Sequence, residues 1–426
     1  MSELGLFAIL LTFAALFGVI NARTLRLPNT IGVLLIALLI SLILMAVNAI
    51  IPGYDIRTLP RELLGSVNLP HTLLNGALSF LLFAGALQVD LTQLWERKFA
   101  ILALALLGTL LAVVMFGSGM YLLFPLTGAG IPFIWCLVIG AILAPTDPVS
   151  VTAMLRRLGL PAPLQAVFAG ESLFNDGVAV VLYGVTIGVA TGNGSLGSGA
   201  EIVTLFLSEA LGAALIGGVI GWLAVQLMRL IDDPHLELII SLALATGTFS
   251  LAVALNVSGP IAVVVAGLTL GSRRSRSAMT DDGHHELMLF WSLIDEILNM
   301  LLFLLIGFEV LALAFKLSFA FDVLLAIPFS LIVRGASVFV STLPIQIRNR
   351  IRGGGGRRGA LAVLTWGGLR GGISVALALG MPDSPSRPAL LAVCYGVVVF
   401  TIVVQGLTIE RVARIFYTVE EETPEP

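Results

Sequence analysis

Residues Ile142 to Val151 read ILAPTDPVSV. They lie inside an apolar run, about residues 131–155, long enough to cross a bilayer as a helix. Pro145 and Pro148 each remove a backbone donor and press on the preceding turn. Thr146 and Asp147 sit between them, near the middle of the run. Unwinding there frees carbonyls at a depth where lipid cannot satisfy them. Such backbone is tolerated only where it faces protein or a water-filled cavity.

The rest of the chain supplies the membrane setting. It is 58% hydrophobic and 12% charged, with a mean hydropathy of +1.03. Soluble domains carry about 25% charged residues, so a polytopic membrane protein is expected. Thirteen spans are predicted, at about residues 4–22, 29–51, 71–88, 99–124, 131–155, 163–191, 202–230, 236–255, 258–271, 286–315, 321–345, 359–380 and 388–412. The first lacks a basic leader and a small-residue cleavage site, so it reads as a retained helix. Residues 416–426, ending EEETPEP, read as a short acidic tail after one transmembrane unit, 1–415.

Charge placement orients the spans. Of the 23 Lys and Arg, four (Arg57, Arg61, Lys316 and Arg387) fall on the face of the N-terminus, and seventeen on the other. Arg334 and Arg370 fall within spans. Basic residues favour the cytoplasmic side, so the N-terminus is expected outside and the C-terminus in the cytoplasm of a cell-membrane protein.

A second interruption matches the first. The twelfth span contains TWGGLRGGIS, Thr365 to Ser374, with four glycines and Arg370. If spans 1–6 and 8–13 are two halves, spans 5 and 12 are each the fifth member, and they run in opposite directions. One break alone reads as a packing kink. Two in corresponding places, each with a charge, predict an inverted repeat with a central site, as in secondary transporters.

The sixth span adds GESLFNDGVAVVLY, Gly170 to Tyr183. Ser172 and Asp176 are four apart and share a face; Glu171 and Asn175 share the adjoining one. Asp176 lies about 20 Å along the helix, at a depth similar to Asp147. Two carboxylates, two hydroxyls and freed carbonyls form an all-oxygen set suited to a hard cation. A carboxylate drawn out of water needs neutralising, and a proton or a metal cation serves. Asp147 and Asp176 are expected to titrate as a pair.

The intramembrane arginines need partners. Glu171 suits one of them and then becomes structural. Arg370 either shares that role or caps carbonyls exposed at the break. Asp295, Glu296 and Glu309 are assigned to an access funnel or an oligomer interface, and Glu209 to packing or the membrane interface.

Other classes find little support. Cys136 and Cys394 show no disulfide or metal-ligand spacing, and His284-His285 reads as a loop pair. No nucleic-acid patch stands out. The chain lacks the His-Glu-x-x-His and Gly-x-Ser-x-Gly patterns of hydrolytic enzymes, and a channel-filter repeat. No cofactor is called for, and an enzyme is not expected. A symporter of organic anions with similar architecture would have fewer buried acids.

At these residues the sequence resembles the monovalent cation:proton antiporter family of sodium/proton exchanger type. The segments that carry the resemblance are APTDPVSV, GESLFNDGVAVVLY, VSGPIAVVVAGLTLG, FWSLIDEILNMLLFLLIGFEV, SLIVRG, WGGLRGGIS and VVVFTIVVQGLTI. It implies an all-α protomer of thirteen transmembrane helices, with inverted six-helix repeats and crossed, partly unwound spans 5 and 12. It also implies a homodimer, with spans 1–3 and 7–10 as scaffold and spans 4–6 and 11–13 as the ion-binding core. Asp176 becomes the aspartate binding Na+, Li+ or H+, with Asp147, Thr146 and Ser172 completing the cation site. Asn175 stands where charge-moving relatives carry a further aspartate, which implies electroneutral one-for-one exchange. Glu171 pairs with Arg334, and Arg370 supports the unwound region. One departure stands out: Phe83-Ala84-Gly85 occupies a stretch where relatives often carry an acid. Ligand types alone leave K+ open beside Na+.

Overall fold

A computed structural model of the chain describes residues 3–50, 76–147, 158–192, 199–311, 317–351 and 358–417. The expected acidic tail from residue 418 onward, Pro148, the start of the third span, and the loop cations Arg57, Arg61, Arg156, Arg157, Lys316, Arg352 and Arg357 lie outside these residues.

All regular structure among the described residues is helical. In chain order the helices are α1 (Glu3–Arg23), α2 (Asn29–Ile50), α3 (Leu78–Leu87), α4 (Leu91–Thr127), α5 (Phe133–Ile142) and α6 (Ala162–Ala190). They continue as α7 (Gly199–Met228), α8 (Pro234–Ala254), α9 (Gly259–Leu270), α10 (Asp281–Glu309) and α11 (Leu317–Ile351). The twelfth is split into α12a (Arg358–Trp366) and α12b (Gly372–Leu379), and α13 (Arg387–Phe416) closes the chain. Nine of the described helices contain stretches long and apolar enough to cross a membrane, and α3, α5 and α9 are shorter apolar helices.

Local chemistry sets the helix ends. Asp90 opens α4 by accepting from the Thr92 N–H (2.8 Å), and Asp233 opens α8 by accepting from His235 N–H (2.9 Å). Thr280 caps α10, whose first turn adds Asp281 and Asp282 at the positive end of the helix dipole. Between α1 and α2 the buried Asn21 side chain bonds Leu27 in both directions, at 2.8 and 3.2 Å. That brace holds the left-handed turn at Arg26 (φ 54°).

α4 begins earlier than its hydropathy suggests. Its first turns carry Glu96, Arg97 and Lys98, which exclude them from an apolar window but suit a helix reaching past the membrane. α4 also contains a π-helical stretch, Ala103–Gly108. α11 runs through Pro328 and Pro344 without ending.

Packing builds two main apolar cores. One joins α3 and α9 with α7, α8 and α10 around Trp291, whose ring lies 4.6 Å from that of Phe83. The other joins α4, α5, α10, α11, α12b and α13. Large apolar side chains such as Leu215, Trp222, Leu324 and Ile332 remain exposed on the outer helix faces. In water such a surface would drive association; against acyl chains it is the matching solvent. α6 passes between the two cores, touching α4, α5 and α9.

Candidate functional site

The end of α5 meets the interruption of the twelfth helix. α5 ends at Ile142, and Leu143 to Asp147 leave the helix. α12a ends at Trp366 and α12b begins at Gly372, leaving Gly367 to Gly371 between them. The two interruptions bond directly: Asp147 N–H donates to Leu369 O at 2.8 Å. Arg370, 4% exposed, donates through Nη1 to the carbonyls of Ala144 and Pro145. Each break thus satisfies backbone groups freed by the other, which answers the cost of exposed carbonyls at membrane depth.

α13 anchors the second break. Arg370 N–H donates to Thr401 Oγ1 (3.1 Å) and Gln405 Nε2 donates to Trp366 O (2.8 Å). Thr401 to Gln405 form a π-helical turn, a distortion that recurs where helices serve functional sites.

A cavity of about 70 Å³ opens beside this junction. Its polar lining comprises Thr146 and Asp147 from the first break, Asp176 from α6, Asp295 and Asn299 from α10, and Ser374 from α12b. Asp176 is 4% exposed, and its buried Oδ1 has no hydrogen-bond partner. Asp147 is half-buried and packed against Gly371, beside the N-terminus of α12b, where the helix dipole favours negative charge.

The sequence places this constellation. The transmembrane sodium/hydrogen exchanger family profile matches residues 9–415. This chain belongs to the sodium/hydrogen exchanger family. The exchanger is 40% identical to the Na+/H+ antiporter NhaP of Pseudomonas aeruginosa, over 97% of each chain. It is 33% identical to the Na+/H+ antiporter NhaH of Halobacillus dabanensis, over 95% of this chain and 96% of that one. Its fold matches the solved sodium proton antiporter MjNhaP1 of Methanocaldococcus jannaschii with a TM-score of 0.75 at 18% identity, over 97% and 98% of the two chains. Members of the family are membrane transporters and not enzymes, and exchange a monovalent cation for H+.

Within the exchanger the site residues named from sequence separate into two layers. Asp147, Asp176 and Thr146 line the cavity. Ser172 and Asn175 stand behind it and hold Thr146. Ser172 donates to the Thr146 carbonyl, and Asn175 Nδ2 donates to Thr146 Oγ1 at 2.8 Å. Asn175 Oδ1 also faces the Thr146 N–H at 3.5 Å.

Glu171 and Arg334 form a buried, two-pronged ion pair. Arg334 Nη1 meets Glu171 Oε1, and Nη2 meets Oε2 at 3.1 Å. Arg334 also donates to Leu364 O from Nε (3.3 Å) and Nη2 (3.0 Å), tying α6 and α11 to the last turn of α12a. The hydrogen bonds of the Arg370 guanidinium go to carbonyls of the opposite break.

Asp295 and Asn299 enter the cavity from α10, Asn299 Nδ2 donating to Asp295 Oδ1 at 3.0 Å. Asn299 was not singled out from the sequence; its spacing of four from Asp295 puts the two on one helix face, a signal that could have found it. Glu296 points elsewhere and accepts from Asn29. Ala84 is fully buried beside the cavity but does not line it, whereas Leu81, Leu82 and Gly85 do. Asp90 is taken up in capping α4 and facing Arg273 at 3.9 Å.

Proposed function

We propose that the protein is a secondary active antiporter exchanging Na+, and Li+ by the same oxygen chemistry, for H+ across the cell membrane. A buried carboxylate must be neutralised, and a proton or a cation each does so. Asp176 binds one or the other, Asp147 and Thr146 contribute further oxygens, and Ser172 and Asn175 hold Thr146 in place. If only loaded states change face, inward proton flow drives cation out. The observation that carries this reading is the placement of Asp147 and Asp176 on one small cavity at the junction of two broken helices.

The wider architecture follows the family pattern in this reading: thirteen crossings in inverted repeats, with spans 5 and 12 crossing at their breaks. The N-terminus is outside and the C-terminus cytoplasmic. Spans 4–6 and 11–13 move as a core against a dimerising scaffold of spans 1–3 and 7–10.

With Asn175 neutral and Asp176 dominating the titration of the site, one proton leaves for each cation taken. Purified protein in liposomes, given a pH gradient and then Na+, Li+ or K+, is expected to dissipate the gradient with Na+ and Li+. No current should accompany the exchange, and an imposed membrane voltage should not alter the rate. A cation-dependent current overturns the one-for-one stoichiometry.

The fit at the junction gives a second test. A Cβ on Gly371 would lie 2.6 Å from Asp147 Cβ and 2.7 Å from its Oδ2. The φ of −124° there is not left-handed, and the three atoms that the added Cβ would approach most closely all belong to Asp147. Gly371→Ala is expected to reduce exchange at least tenfold, as about 1 Å of misplacement can cost a hundredfold. Yield and thermal midpoint are measured alongside, so that lost exchange is separated from lost folding. A normal rate shows that Asp147 need not be held tightly.

A further inference from the structure

Ser374 brings to the same cavity a hydroxyl that the transport reading leaves without a task. It is the third residue of α12b and is 1% exposed. Two buried polar atoms without a hydrogen-bond partner belong to residues lining this cavity, Asp176 Oδ1 and Ser374 Oγ. Helical serines ordinarily return their hydroxyls to a carbonyl three or four residues back. Ser330, Ser337 and Ser341 of this chain do so. For Ser374 the residue four back is Arg370, which lies in the break, so a regular helical carbonyl is not presented to it. Other hydroxyls of the junction are engaged, Ser172 with Thr146 O, Thr146 with Asn175, and Thr401 with Val398 O and Arg370 N–H.

A buried hydroxyl without a partner is costly, and an uncommitted oxygen beside a carboxylate suits a hard cation. We infer that Ser374 Oγ is a direct ligand of the transported cation, supplied by the second broken helix to the cavity that Asp176 also lines. The inference rests on the reading that Asp176 binds the cation. A neutral ligand completes the cation's oxygen shell without adding charge that a proton must balance. Ser374 therefore tunes cation affinity and preference and leaves proton binding alone.

The test uses the full chain in proteoliposomes, with Na+ and Li+ titrated against wild type, Ser374→Ala, Ser374→Thr and Asp176→Asn. Thermal unfolding is followed in parallel, in Na+ and in choline at equal ionic strength. For Ser374→Ala, the half-saturating Na+ concentration is expected to rise about tenfold. The loss should fall there rather than on the maximal rate, and Ser374→Thr should recover most of it. Alanine removes an unpartnered hydroxyl, so the unfolding midpoint in choline should not drop. The rise in midpoint caused by Na+ should shrink, because ligand stabilisation follows affinity. Unchanged half-saturation with an unchanged Na+-induced rise overturns the inference. So does a lower midpoint in choline with a rate reduced equally at every cation concentration, which marks a packing role. Full exchange by Asp176→Asn would instead bring down the underlying site reading, and this inference with it.

Discussion

Asp176→Asn is expected to lower Na+/H+ and Li+/H+ exchange at least about a hundredfold, to the level of protein-free liposomes. The substitution keeps the shape of the side chain and removes its charge and its titration together. An amide can neither carry the proton nor neutralise the cation. Folding should survive, because a neutral group is easier to bury at a position that is 4% exposed. The measurement is dissipation of an imposed pH gradient at saturating Na+, with yield and thermal midpoint recorded on the same preparation. Exchange above a tenth of the wild-type rate in well-folded Asp176→Asn rejects a mechanism centred on this carboxylate.

Glu171 and Arg334 should behave differently. Their contacts lie within the protein, with Arg334 bonded to both Glu171 and Leu364 O. Removing one partner leaves the other charge buried and unpaired, at a cost of about 3–5 kcal/mol. Whole domains are stable by only about 5–15 kcal/mol. Glu171→Gln and Arg334→Gln are therefore each expected to lose most of the folded protein recovered from membranes. The double variant Glu171→Leu with Arg334→Met removes both charges and should recover part of that loss, since the two sites share one interaction. Single variants that fold normally but do not transport would assign the pair to ion handling instead.

The features legible in sequence were those written locally. Apolar runs marked the helices, and Pro145 and the Gly367–Gly372 stretch marked the interruptions in any setting. Asp147 and Asp176 stood out as acids within apolar runs, and both line the cavity. Other features depended on how each helix is rotated and which helix stands beside it. Ser172 shares a face with Asp176, yet its hydroxyl is drawn back to Thr146 O, because the unwound backbone offers an acceptor there. Asp295 reaches the cavity because α10 packs against α3 and α12b, a neighbourhood its own segment does not specify. Arg370 had two admissible partners in sequence. The spacing of the chains at the junction favoured the carbonyls of Ala144 and Pro145 over Glu171. The π-helical turns in α4 and α13 have no sequence mark that we can identify.

The mutual bonding of the two breaks constrains how this chain can change over generations. Asp147 N–H is held by Leu369, and the carbonyls of Ala144 and Pro145 by Arg370, across more than 220 positions of sequence. A substitution that shifts either loop strands polar groups in the other. Because these groups are backbone apart from the Arg370 guanidinium, side chains at 144–147 and 367–371 can vary so long as the path of each loop is kept, and a change that bends one path calls for an answering change in the other half of the gene.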